Sequence, residues 1–280
     1  MPSTRRGKGE TDRPVPLHRE YRNGKPLLVI ESPEPPATSY WSATRRPLPS
    51  LILVAPLILM YELGVVWQGG SGAAVRTGAD AWMRRLLSSV GMTDQWLPPL
   101  ALVLILLAWQ VCSPRNWRFS PSTLVGMVLE SGLLAIALVG ISRLIDVGFT
   151  FLDQHPPLAL AVEARPGLSP YAPLIGFLGA GVYEEALFRL ILVPVFFHTL
   201  KILQMPQVLA SALAVTGSAL LFSLAHHAGT PGEAFTWYAF VFRWTAGVFF
   251  AWVFIVRGFG IAVGTHTAYD VLVGWVGWQL

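Results

Sequence analysis

A single cysteine, Cys112, in a chain of 280 residues leaves no partner for an intrachain disulfide and no multi-cysteine metal site. Charge is almost as scarce. Asp, Glu, Lys and Arg together make up 13% of the residues, against about a quarter in an ordinary soluble domain. No His-Glu-x-x-His run occurs, so the helical zinc-protease signature is missing. No internal repeat is visible, which weakens a transporter built from inverted halves. Arg5-Arg6 is followed by Gly-Lys-Gly-Glu-Thr-Asp-Arg rather than an apolar stretch, which sets aside a twin-arginine export signal. Abundance lies elsewhere: 53% of residues are apolar, with 11 Trp and 15 Phe, and the mean hydropathy is +0.53. Such a chain has lipid as its main solvent.

The net charge of +4 is unevenly spread. Residues 1–46 hold nine Lys/Arg against five Asp/Glu, with prolines throughout, and read as a disordered basic cytoplasmic tail. They offer neither a folded basic face nor stacking aromatics, so nucleic acid is not an expected partner. Beyond the tail, seven apolar segments approach the ~20 helical residues needed to cross ~30 Å of hydrocarbon. They lie near 48–67, 97–113, 122–143, 171–197, 207–226, 235–256 and 261–279. The fold class is therefore an all-α, polytopic transmembrane bundle of about seven spans. Residues 78–90 are amphipathic and too short to span, which predicts an interfacial helix.

Loop charge sets the orientation. Arg115, Arg118, Lys201 and Arg257 fall on the side of the basic tail, whereas Arg76, Arg84, Arg85 and Arg165 on the other side are offset by Asp80, Asp94, Asp153 and Glu163. This predicts a multi-pass protein of the cell membrane with a cytoplasmic N-terminus. Residues 47–168 form a first membrane region and 169–280 a second, which holds the polar residues of interest.

A charge near the bilayer centre costs ~2.5–3.5 kcal/mol, yet the fourth segment contains Tyr183-Glu184-Glu185-Ala186-Leu187-Phe188-Arg189. Glu185 and Arg189 are i,i+4 neighbours and can neutralise each other. Glu184, rotated ~100° away, has no charge partner on its own helix, which makes it the candidate actor. The fifth segment ends in Phe222-Ser223-Leu224-Ala225-His226-His227, and the seventh carries His266 and Asp270 at i,i+4 spacing. There a carboxylate can accept the imidazole N–H and fix its tautomer. The cheapest arrangement points these groups at one another. His198 and His227 read as interfacial. Arg143 and Arg257 read as snorkelling. Glu62, Glu130 and Arg243 read as members of structural ion pairs.

Glu-Glu-x-x-x-Arg (184–189), Phe-x-x-x-His (222–226) and His-x-x-x-Asp (266–270), in that order on apolar segments, resemble the CPBP family. Its members include the type II CAAX prenyl proteases and the bacterial homologues linked to lysostaphin resistance and bacteriocin immunity. The resemblance covers roughly residues 170–275. It implies a metal-independent glutamic endopeptidase, without cofactor, that acts on the prenylated CAAX-type C-terminus of a protein or on another membrane-associated peptide or protein. Glu184 would activate the water, His226 would assist, and His266 with Asp270 would serve the oxyanion. Glu185, Arg189 and Phe222 would brace the site. Many members have Asn where Asp270 stands; an ionised Asp270 would repel an oxyanion, so its expected role is to orient His266. Two other readings use the same residues. One is a divalent-metal site, since two histidines and carboxylates are acceptable zinc ligands. The other is a non-catalytic binding or bacteriocin-immunity protein, of which a proton-relay transporter is a weaker form. Depth counting raises a difficulty. His226 ends one span and His266 lies near the start of a parallel one, so either the segment boundaries are shifted or the helices are tilted, broken or unequal in length.

Overall fold

The computed structural model describes residues 39–69, 76–113, 117–152, 169–228 and 234–275, together with the backbone of 18–22 and 25–29. The end of the seventh apolar segment and Arg115, Asp153, Glu163 and Arg165 fall outside these. The chain divides into a unit of Met1–Ser39 and a unit of Tyr40–Leu280. In the first, β1 (His18–Arg22) and β2 (Lys25–Val29) pair antiparallel, with Arg22 opposite Lys25. Two strands therefore lie within the tail expected to be disordered.

The second unit is helical. Its elements are α1 (Tyr40–Ala43), α2 (Pro47–Trp67), α3 (Gly78–Ser89), α4 (Leu97–Cys112), α5 (Pro121–Phe151) and α6 (Ala172–Gly179). Two π-helical segments follow, πA (Ala180–Glu184) and πB (Ala186–Leu192). The order closes with α7 (Val193–Ile202), α8 (Gln207–His226), α9 (Trp237–Arg257) and α10 (Phe259–Gly274). Proline opens α2, α4 and α5, where its missing N–H is no loss. Thr77 caps α3 by accepting from the Asp80 amide, and the Asp80 carboxylate suits a helix N-terminus.

Four helices, α2, α5, α8 and α9, are long and apolar enough to cross a membrane. Their outward faces carry Leu59, Leu63, Leu133, Leu144, Leu220 and Trp252, all exposed. An apolar belt of that kind is not what a water-soluble monomer presents. At 31 residues, α5 reaches about 46 Å and runs past the expected end at 143, so Arg143 lies within the helix. The shorter α4 and α10 have 16 residues each, or about 24 Å.

The central element is α10, with ten of its 16 residues buried. It starts from a one-residue turn at Gly258, whose φ of 97° is costly for any residue with a Cβ. A Cβ there would also lie 2.9 Å from the Thr44 carbonyl oxygen. Because residues 259–263 are already buried, α10 begins inside the protein. At 16 residues against the 20 of α8, α10 shows one of the irregularities that depth counting calls for. Arg257, just before the turn, is 3% exposed and does not snorkel. It ion-pairs with Glu130, which also accepts from the Tyr40 hydroxyl at 2.6 Å, and it lies 3.9 Å over the Trp41 ring. That cluster ties α1, α5 and α9 together at one end.

Candidate active site

The fourth apolar segment does not wind as one α-helix. Pro194, at the start of α7, brings no N–H to the preceding turn, and its ring crowds the carbonyl four residues earlier. The wider πB winding upstream relieves both. Segments of this kind gather at functional sites. Carbonyls freed by such winding need other donors in an apolar setting, and the Ser218 hydroxyl on α8 donates to the Phe188 carbonyl at 2.6 Å. On the other side, Gly181 in πA lies so close to Thr267 of α10 that a Cβ would collide with its hydroxyl. This approach brings the Glu184 and Glu185 region against His266.

Both carboxylates turn inward: Glu184 is 9% exposed and Glu185 is fully buried. An α-helical wheel separates them by ~100° and does not anticipate this. Glu185 Oε1 meets Arg189 Nη1 at 3.1 Å and His266 Nδ1 at 2.7 Å. The guanidinium therefore sits as ion-pair partner beside the same oxygen that accepts the imidazole N–H, without hydrogen-bond geometry at Nη1. Arg189, itself fully buried, also donates from Nη2 to the Gly247 carbonyl at 3.2 Å. Its Cζ lies 4.4 Å from the centre of the Phe222 ring and 5.4 Å from that of Phe250, where aromatic faces favour a cation. Phe250 in turn stacks on His266, with centroids 4.5 Å apart and planes 12° from parallel.

His226 is set by its own helix. Its Nδ1 lies 2.8 Å from the Phe222 carbonyl oxygen. A carbonyl can only accept, so Nδ1 carries the proton and Nε2 keeps its lone pair. That Nε2 is 3.6 Å from Glu184 Oε2, and His266 Nε2 is 3.9 Å from the same oxygen. Both separations exceed a direct hydrogen bond. No described protein group donates to Glu184 Oε2, although it is buried.

Asp270 stands differently from its expected part. Its Oδ2 is 3.6 Å from His266 Nε2, while the close partner of the imidazole is Glu185 at Nδ1. The carboxylate that fixes the tautomer thus comes from the neighbouring helix rather than from four residues on. The structure brings Glu184, His226, His266, Asp270, Glu185, Arg189 and Phe222 together. Arg243, which the sequence suggested only as an ion-pair member, joins them. It is buried and acts electrostatically on Glu184, His226 and Asp270. The signal for it was helical spacing: Arg243, Gly247 and Phe250 share one face of α9, and the latter two touch Arg189 and His266. Among the described residues, no group of three or more His, Cys, Asp or Glu is arranged to hold a metal ion.

No curated protein and no solved structure matches the chain. Residues 166–272 match a family described as Type II CAAX prenyl endopeptidase Rce1-like. That stretch includes every residue of the cluster. Over residues 166–272 the chain is therefore similar to the type II CAAX prenyl endopeptidases, and its four long apolar helices make it a multi-pass membrane protein.

Proposed function

We propose that this protein is an intramembrane glutamic endopeptidase, with Glu184 as the general base that activates water. Its substrate is a membrane-associated protein carrying a prenylated CAAX-type C-terminus. One observation carries the reading: a buried carboxylate oxygen without a donor among the described residues faces the Nε2 atoms of two histidines from two other helices. Glu184 takes a proton from water as oxygen attacks the peptide carbonyl. His226, with its Nε2 lone pair directed into the site, accepts that proton and passes it to the leaving amine. His266 stabilises the oxyanion. Its Nδ1–H is committed to Glu185, so Nε2 donates only when the ring is an imidazolium. Glu185 at 2.7 Å, Asp270 at 3.6 Å and Glu184 at 3.9 Å supply the countercharge.

The same reading gives seven crossings of the cell membrane, with α4, the broken α6–α7 helix and α10 added to the four long helices. A cytoplasmic tail (1–46) precedes a first membrane region (47–168) and a catalytic region (169–280). The test is cleavage, by purified wild type in detergent, of prenylated C-terminal peptides and of unprenylated membrane-proximal ones. Cleavage indifferent to chelator supports the proposal. Loss with chelator and recovery with zinc would replace it with the metal reading, and no cleavage by folded protein would favour a binding or immunity role.

Asp270→Asn separates charge from shape. Removing one of three countercharges to His266 is expected to lower kcat roughly tenfold, toward the lower end of the ~1–4 kcal/mol by which unit charges about 4 Å apart interact, with KM little changed. Steady-state kinetics decide it; full activity in the variant would remove the Asp270 charge from the mechanism.

A further inference from the structure

A second set of buried ionisable groups joins α2, α3 and πA. Glu62 is 2% exposed. Its Oε1 accepts from the Tyr183 hydroxyl at 2.5 Å and from Arg84 at 3.1 Å, and its Oε2 lies 3.4 Å from the Arg76 guanidinium. Asp80, fully buried, takes Arg76 and Arg84 at 2.7 Å each and the Tyr61 hydroxyl at 2.9 Å. Two acids and two arginines balance, so neutrality does not require Tyr183. Yet Tyr183 is fully buried, lies 5.3 Å from the Tyr61 ring, and directs its hydroxyl into this cluster. It is the one member of the cluster on the catalytic segment, immediately before Glu184.

We infer that Tyr183 is a positioning residue: its hydrogen bond to Glu62 anchors πA to the α2–α3 ion cluster and so holds the Glu184 carboxylate in register with His226 and His266. This rests on the proposed role of Glu184. Three observations support it together. The π winding has given up the α-helical ladder at Tyr183, so an outside tether sets the local backbone. The tether ends on a group held by two arginines, which fixes the acceptor. The opposite side of πA has no slack, because Gly181 is in contact with Thr267. A carboxylate one residue from such an anchor moves whenever the anchor moves, and a displacement of about 1 Å at a reacting group costs on the order of 100-fold in rate.

Tyr183→Phe removes the hydroxyl and leaves the ring. With a peptide ending in prenylated Cys-aliphatic-aliphatic-X, kcat is expected to fall roughly ten- to a hundredfold while KM stays within about twofold and the melting temperature is retained. Amide hydrogen exchange across residues 181–186 is expected to rise in the same variant, a readout that does not depend on turnover. Glu62→Gln keeps an acceptor for the phenol but leaves two arginines against one acid, so the melting temperature falls while kcat of the folded protein is expected to hold near wild type. Wild-type kcat and unchanged exchange in Tyr183→Phe would overturn the inference. So would a tenfold loss of kcat in Glu62→Gln with exchange unchanged, since charge rather than the hydrogen bond would then matter. An active Glu184→Gln would remove the base itself, and exchange alone would then show whether Tyr183 still anchors the segment.

Discussion

Glu184→Gln is expected to abolish peptide cleavage, with kcat down by the 10²–10⁴-fold that a positioned general base supplies. Gln keeps the size and planarity of the side chain but cannot take a proton from water. The fold should tolerate it, because Glu184 Oε2 has no donor to lose among the described residues and the ion pair with Arg189 belongs to Glu185. Substrate affinity and melting temperature should therefore hold while turnover disappears, which marks an interaction used in the transition state. The competing readings make the opposite forecast. In a binding or immunity protein, Gln preserves shape and hydrogen bonding, and function survives. Cleavage at even a tenth of the wild-type rate would end the case for Glu184 as base.

Arg189→Met should give the largest loss of stability. The guanidinium is fully buried, as is its partner Glu185. Removing one member of such a pair leaves an uncompensated buried charge, at a cost of about 3–5 kcal/mol. The thermal midpoint in detergent should fall well below wild type. Adding Glu185→Gln neutralises the orphaned charge and should restore much of that stability. Activity should not return, because the carboxylate countercharge that His266 Nδ1 meets at 2.7 Å is then gone. A wild-type midpoint in Arg189→Met would show that the pair does not brace the site. Recovery of activity in the double variant would show that Glu185 has no part in setting His266.

The residues that assemble were legible in the sequence because each violates a local rule. Glu184, Glu185, Arg189, His226, His266 and Asp270 are polar groups in apolar runs, and the bilayer's aversion to charge singles them out without a structure. Helix boundaries followed for a related reason. The ends of α2, α4, α8 and α9 fall within two residues of the apolar runs that predicted them, since run length and span length are the same quantity. The apolar pattern of the fourth segment predicts one regular helix, whereas the segment winds through two π-helical stretches. Pro194 signalled a disturbance but not its form, because a proline can kink a helix or widen it according to what packs beside it. For Arg257 the sequence predicts snorkelling, the default for an arginine at a helix end; only the approach of Glu130, 127 residues away in sequence, makes burial favourable.

Composition and the spacing of apolar runs were enough to establish a membrane-embedded helical protein and to name the polar residues that must meet, because the cost of charge in hydrocarbon acts residue by residue. Which carboxylate serves which histidine was settled only by packing. Spacing along α10 favoured Asp270 for His266, yet the π winding and the contact of Gly181 with Thr267 bring Glu185 closer, and that choice is made between helices rather than within one.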